Sequence, residues 1–316
     1  MIKVFVDGNQ GTTGLNICER LEKRDDIELL EILPEKRKDL AERKRFINSA
    51  DLVFLCLPDD AAREAVSLVE NQSTRIIDAS TAHRTLPGWS YGFPELSKEH
   101  RKAIENGKRV AVPGCHASGF NAIVYPLVFS GLLPSDYPFV CHSITGYTGG
   151  GKKMIARYEA KNKSPELYSP RQYALTQQHK HLAEMKAVCG LESTPAFSPI
   201  VADFPRGMVV SVPIFTRYLN KYATKKDLHK FFSEYYGGEK LISVAGEEKE
   251  NEQNGFIAAN GFAGADNMEL FVLGNDEIIL LCARFDNLGK GASGAATQCM
   301  NIMLGARESC GLTIAR

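Results

Sequence analysis

Several features that commonly declare a function are missing from this chain. Its eight cysteines (Cys18, Cys56, Cys115, Cys141, Cys189, Cys282, Cys299, Cys310) form no C-x-x-C pair, no dense cluster and no zinc-like Cys/His spacing, so a disulfide framework or a structural metal is not expected. Net charge is absent too: 38 Lys and Arg balance 38 Asp and Glu. Without a general field to draw phosphates or anionic lipid, nucleic acid and membrane surfaces drop out as partners, and any bound anion must meet a local site. Met1 to Asp7 carries no basic stretch followed by an apolar one, and no window approaches the ~20 apolar residues of a membrane span. There is no repeat, low-complexity tract or Gly/Ser linker. What remains is the expectation of a reduced, cytoplasmic protein acting on small molecules. Its 316 residues, 44% hydrophobic and 24% charged, suffice for about two domains at roughly 150 residues each.

Ile2 to Val6 reads as a buried strand ending at Asp7-Gly8, followed by Gly8, Gly11 and Gly14 and then by Leu15, Ile17, Cys18 and Leu21 at helical spacing. Further strands are expected at Ile27 to Leu33, Asp51 to Leu57, Arg75 to Asp78 and Val110 to Val112, with helical stretches such as Ala61 to Glu70 between them. That alternation predicts an α/β unit with a doubly wound parallel sheet. After Pro113-Gly114-Cys115 the pattern changes to longer strands at Phe139 to Thr145, Met208 to Phe215, Phe256 to Phe262, Leu270 to Leu273 and Glu277 to Phe285. This predicts an α+β domain with a mostly antiparallel sheet, whose exposed face invites self-association. Gly291 to Gly305 returns to helical spacing and is expected to pack against the first domain. The division predicted is 1–114, completed by 287–316, and 115–286.

A glycine turn directly after the first strand lets the backbone approach a pyrophosphate and leaves the N–H groups of the next helix pointing at it. Gly8, Gly11, Thr12, Thr13 and Gly14 are therefore dinucleotide candidates. The spacing is not the usual G-x-G-x-x-G, and a purely structural turn is the competing reading. At the expected end of the second strand stand Pro34-Glu35-Lys36-Arg37-Lys38 instead of a lone acidic residue. Lys36 and Arg37 suit a 2′-phosphate, which favours NADP over NAD, unless the run is simply a solvated helix face.

Cys115 follows a strand, on a Pro-Gly turn, where Ala117 to Val124 begins a helix. A thiol at a helix N-terminus feels the positive end of the dipole, which favours the thiolate and makes a nucleophile. The other seven cysteines read as small hydrophobes. As acid or base partners His179 and His181 stand out, with Glu184 one helical turn beyond His181 and able to orient it. His116 is expected to point elsewhere, because adjacent side chains diverge. The run Gly146 to Lys152 imitates a P-loop, but Lys153 occupies the position that needs Ser or Thr, and that reading is rejected.

Taken in order, the glycine turn, Asp78-Ala79-Ser80-Thr81-Ala82-His83-Arg84, Tyr91 to Leu96, Pro113-Gly114-Cys115, His179 to Met185, Pro205-Arg206-Gly207 and Asn287 to Gly294 resemble N-acetyl-γ-glutamyl-phosphate reductase of arginine biosynthesis, in its shorter form, over essentially the whole chain. His116 and Ser118 stand where that family usually has an aromatic residue and a Thr. The resemblance implies an NADP-dependent oxidoreductase with a Rossmann-type domain and a catalytic domain, assembled as a dimer or tetramer. Cys115 would form a thioester with the acyl phosphate, and His181 or His179 would move the protons. Ser80, Asn287 and Gly289 would lie at the cofactor, while Arg84, Lys152 and Arg206 would anchor substrate phosphate and carboxylate. Alternatives are a related acyl-phosphate enzyme acting on aspartate semialdehyde or the aminoadipate analogue, and a dinucleotide sensor without catalysis.

Overall fold

A computed structural model describes residues 1–246, 249 and 254–315. They form two compact units, one of residues 1–113 with 292–312 and the other of 114–291 with the tail from 313.

The first unit is built on a parallel sheet ordered β2-β1-β3-β4-β6-β5, with strands β1 (Ile2–Asp7), β2 (Ile27–Leu30), β3 (Leu52–Leu55), β4 (Arg75–Asp78), β5 (Ser90–Tyr91) and β6 (Arg109–Ala111). Helices α1 (Thr12–Leu21), α2 (Leu40–Ser49), α3 (Asp59–Ser67) and α4 (Lys98–Asn106) lie in the crossovers. Both sheet faces are covered, and the strands say so residue by residue. Val4, Val6, Leu52, Phe54 and Ile77 join Ile17 and Leu21 of α1 on one side. The alternate residues Phe5, Val53, Leu55 and Ile76 join Ile47, Ala62 and Ala65 on the other. The C-terminal helix Gly294–Met303 supplies Ala295, Ala296, Cys299, Met300 and Met303 to the first of these cores. Small residues on this helix allow close approach: a Cβ added at Gly92 would stand 3.1 Å from Cys299 Sγ.

The second unit carries a seven-stranded sheet ordered β11-β12-β13-β10-β7-β9-β8, namely β7 (Val140–Gly146), β8 (Arg171–Gln172), β9 (Ala196–Ala202), β10 (Met208–Phe215), β11 (Ile242–Val244), β12 (Met268–Gly274) and β13 (Ile278–Phe285). Its central pairings β12–β13, β13–β10 and β10–β7 are antiparallel, as is β8–β9, while β7–β9 and β11–β12 are parallel, so the sheet is mixed. Against it pack the buried helix α5 (Cys115–Phe129) and α8 (Lys225–Tyr235), the latter closed by a capping box of Thr224 and Asp227. Two shorter helices, α6 (Gly151–Tyr158) and α7 (Lys180–Val188), complete the unit.

One expected strand is absent and one unexpected strand is present. Phe256 to Phe262 is a series of turns, with Gly261, Ala263 and Ala265 donating to the carbonyls of Ala258, Asn260 and Phe262. Its apolar residues have another use: the Phe262 ring covers the Arg284 guanidinium at 4.9 Å. Ala196–Ala202 is a strand that the sequence reading omitted. Pro199 lacks a donor, but its carbonyl accepts from Tyr173 N–H at 3.0 Å, so the pairing survives.

Candidate functional site

In the first unit, β1 ends in a turn that only glycine fits. Gly8 has φ +90°, and a Cβ there would stand 2.3 Å from the Cys56 carbonyl oxygen; one on Gly14 would stand 2.5 Å from the Gly8 oxygen. Gly11 caps α1 and donates its N–H to Gly8 at 3.0 Å. With no acidic residue in its first turn and no side-chain cap, α1 leaves its first N–H groups to an anion. Thr12 Oγ1 is buried without a hydrogen-bond partner among the described residues, as a group awaiting a phosphate oxygen would be. The turn thus fits a dinucleotide pyrophosphate. Beside it Asn9, Gln10, Leu29, Leu30 and Glu31 line a cavity of about 160 Å³.

The second strand ends at Leu30, three residues earlier than expected, which puts Glu31 directly after it and moves the basic run onto the following turn at Pro34–Lys36. Lys36 there pairs with Glu42 at 3.3 Å, and Arg37 is half-buried with its Nε unpartnered among the described residues. Ser80 lies past β4, its Oγ donating to Asp78 at 2.7 Å. Arg84 donates to the Val112 carbonyl at 2.8 Å and the Ala79 carbonyl at 3.5 Å, strapping together the ends of β6 and β4.

In the second unit, Cys115 is the first residue of α5, half-buried, with the dipole of a 15-residue helix behind it. The turn before it is held by Glu184: the Gly114 N–H donates to its Oε1 at 2.8 Å, an interaction that helical spacing did not suggest. Gly291 packs on the thiol from the far side, where a Cβ would stand 2.9 Å from Cys115 Cβ. Cys115 Sγ, a ring nitrogen of His181 and one of His116 all lie within 4.8 Å of one another.

His116 corrects an expectation. Its ring nitrogen stays within 4.8 Å of the Cys115 sulfur, because a second element, the start of α7, brings His181 against both side chains. The His116 ring is buried beside those of His181 (5.5 Å), His179 (5.8 Å) and Phe197 (5.2 Å). Its nitrogens pair with Ser143 Oγ at 2.8 Å and Tyr173 Oη at 2.6 Å. Burial pushes its pKa down to about 3, so the ring is neutral. His179 serves as N-cap of α7, its Nδ1 accepting the His181 N–H at 3.2 Å.

Among the other thiols, burial raises Cys18 and Cys282 to about 11 and drives Cys56, Cys141 and Cys189 further up. Arg206 pairs with the buried Asp286 at 2.8 Å and keeps a buried, unpartnered Nη2 among the described residues. Asp286 also accepts the N–H groups of Leu288 and Gly289 at 2.7 and 2.9 Å, which links Arg206 to the segment lying against the thiol. Asn287 braces two loops, accepting from Gly207 N–H at 2.8 Å and donating to Thr148 Oγ1 at 3.1 Å. Gly289 begins a short π-helical turn, packed on the Ala265 carbonyl. Lys152 stands exposed at the start of α6.

Residues 3–104 match the semialdehyde dehydrogenase NAD binding domain and 115–287 the semialdehyde dehydrogenase dimerisation domain. Among solved structures, aspartate semialdehyde dehydrogenase from Francisella tularensis shares the fold at a TM-score of 0.72 and 14% identity, covering 96% of this chain and 100% of that one. Aspartate semialdehyde dehydrogenase II from Vibrio cholerae gives 0.71 at 12% identity, with 96% and 98% covered. No described helix is long and apolar enough to cross a membrane. Sequence similarity is far stronger to N-acetyl-gamma-glutamyl-phosphate reductase 2 of Nostoc sp., 46% identical over 98% of this chain and 99% of the relative. It is equally strong to N-acetyl-gamma-glutamyl-phosphate reductase of Brucella ovis, 46% identical over 96% and 99%. With both semialdehyde dehydrogenase domains and these full-length relatives, the chain belongs to the N-acetyl-γ-glutamyl-phosphate reductase family.

Proposed function

We propose that the chain catalyses the NADPH-dependent reductive dephosphorylation of N-acetyl-γ-glutamyl phosphate to N-acetylglutamate 5-semialdehyde, a step of arginine biosynthesis. The carrying observation is a half-buried thiol at a helix start with an imidazole of His181 within 4.8 Å. Cys115, as thiolate, attacks the acyl carbon; the tetrahedral adduct expels inorganic phosphate and leaves a thioester on Sγ. Backbone N–H groups in the first turn of α5 lack helical acceptors and are placed to hold the oxyanion. NADPH, when bound at the glycine turn, would supply the hydride for the thioester carbonyl. His181, as imidazolium, would protonate the oxyanion that results and take the proton back as the thiohemiacetal on Cys115 collapses to the aldehyde and releases the thiolate. His179 caps α7 and positions His181. Glu184 fixes the turn ahead of the thiol.

Arg206, with its unpartnered Nη2, is the favoured anchor for a substrate oxyanion, with Lys152 and Arg84 as further candidates. Gly8, Gly11, Thr12, Thr13 and Gly14 hold the pyrophosphate; Lys36 and Arg37 face the 2′-phosphate; Ser80, Asn287 and Gly289 border the cofactor. We place the enzyme in the cytoplasm as a dimer or tetramer. The dimerisation-domain match supports association, and light scattering reads the subunit number. The substrate is tested in the reverse direction, by phosphate-dependent reduction of NADP. N-acetylglutamate semialdehyde should be turned over at least a hundredfold more efficiently than aspartate semialdehyde or N-acetyl-aminoadipate semialdehyde; the reverse ranking would move the chain to one of those activities.

A further inference from the structure

The reaction above uses the thiol and one imidazole, yet the fold brings a second imidazole to the same point. Cys115 Sγ, a His116 nitrogen and a His181 nitrogen lie within 4.8 Å of one another, contributed by the starts of α5 and α7. Tetrahedral zinc, with Zn–S of about 2.3 Å and Zn–N of about 2.0–2.1 Å, sets its ligands roughly 3.5 Å apart. Closing the triad onto an ion therefore needs contraction of up to about 1.3 Å on an edge. Rotation of the half-buried Cys115 about its Cα–Cβ bond can close the two edges that meet at Sγ, and the third needs a small turn of an imidazole.

We propose that Cys115, His116 and His181 form a Cys-His-His site for a divalent zinc ion, and that zinc bound there switches the enzyme off reversibly. A thiolate with two imidazoles is a soft and borderline donor set that selects Zn²⁺ over the oxygen-seeking Mg²⁺ and Ca²⁺. The outer shell is in place too. Ser143 Oγ and Tyr173 Oη each pair with one nitrogen of His116, so the ion takes the place of one hydroxyl while the other keeps its hydrogen bond and fixes the ring. With three protein ligands the fourth position is open to water or a substrate oxygen. The bound ion holds the sulfur lone pair that the acyl carbon requires and the His181 nitrogen that moves the proton, so acylation stops until the metal is removed.

The inference rests on the geometry of the proposed catalytic centre, and its test avoids turnover so that the two can fail separately. Cobalt(II) titrated into the reduced, metal-free, full-length protein should bind once per chain and produce a thiolate-to-cobalt charge-transfer band in the near ultraviolet, with the visible bands of a four-coordinate ion. Zinc should displace it stoichiometrically. Cys115→Ser should remove the charge-transfer band, and His116→Phe should weaken cobalt binding at least tenfold. In the unaltered protein, zinc should slow alkylation of Cys115 by iodoacetamide at least tenfold, read by mass spectrometry, with chelator restoring the rate. Absence of the charge-transfer band, alkylation indifferent to zinc, or unchanged affinity in His116→Phe would each overturn the site.

Discussion

The glycine turn and the thiol centre are assembled in opposite ways. The turn is shaped mostly by residues between Asp7 and Gly14, with Cys56 and Leu57 forbidding a Cβ on Gly8. The thiol centre draws on Cys115, His116, Ser143, Tyr173, His181, Glu184 and Gly291, which enter from two helix starts, strand β7 and the segments around β8 and β13. A local site is specified by short-range sterics and reads directly from sequence. A site collected from distant segments depends on packing, and single substitutions there act through several neighbours at once.

The largest break in this comparison should come from Cys115→Ser. Reductive dephosphorylation should fall by more than about a thousandfold, since the weaker hydroxyl nucleophile has no thiolate form to offer. NADPH binding, followed by its fluorescence, should persist; retained turnover would end the covalent mechanism. His181→Asn comes next, with an expected loss in kcat of about a hundredfold to ten-thousandfold and little change in the KM for NADPH. His179→Asn, which keeps a capping side chain, should cost far less. Equal losses would mean that proton transfer is shared or assigned to the wrong ring.

Gly8→Ala attacks the local site. Its left-handed backbone and the Cys56 carbonyl should impose strain of about 1–3 kcal/mol and raise the KM for NADPH, while the alkylation rate of Cys115 stays near that of the parent protein. Neutralising Lys36 and Arg37 together should shift the NADPH-to-NADH ratio of kcat/KM by about tenfold toward NADH, the scale of losing charge-assisted contacts to one phosphate. An unchanged ratio would point to Glu31, directly after β2, as the residue to vary instead.

The smallest effect concerns pH. His116 is held near 3 in the folded protein against an ordinary value of 6.5, so the unfolded chain binds the extra proton between those limits. Stability should therefore fall as pH drops below 6.5, by up to about 1.4 kcal/mol per pH unit from this ring, and remain flat above it. His116→Phe should flatten that slope in urea unfolding measured between pH 7 and 5; an unaltered slope would mean that the ring is not buried as a neutral group.

Much of the first unit was legible because its code is short-ranged. The strands Ile2–Asp7 and Arg75–Asp78 are runs of β-branched residues, and a parallel sheet covered on both faces needs continuous apolar strands. The second strand was misjudged by three residues because Glu31 and Ile32 continue an alternation that the backbone abandons. In the second unit, Phe256 to Phe262 carries strand-like residues of which Phe262 lies over Arg284, and Ala196–Ala202 hides behind Pro199. Sequence spacing suggested that Glu184 serves His181; that its carboxylate also accepts the Gly114 N–H only the fold could show.

The sequence by itself determined the order of the parts: a glycine turn opening a helix, a Pro-Gly-Cys at a helix start, and a His-Lys-His at another. Each is written within a few consecutive residues, where backbone sterics and helix dipoles act. Only the tertiary structure decided which imidazoles meet the thiol, since that depends on how α7 packs against α5. For the same reason a chain without any metal-binding spacing holds a Cys-His-His triad, gathered from segments more than sixty residues apart.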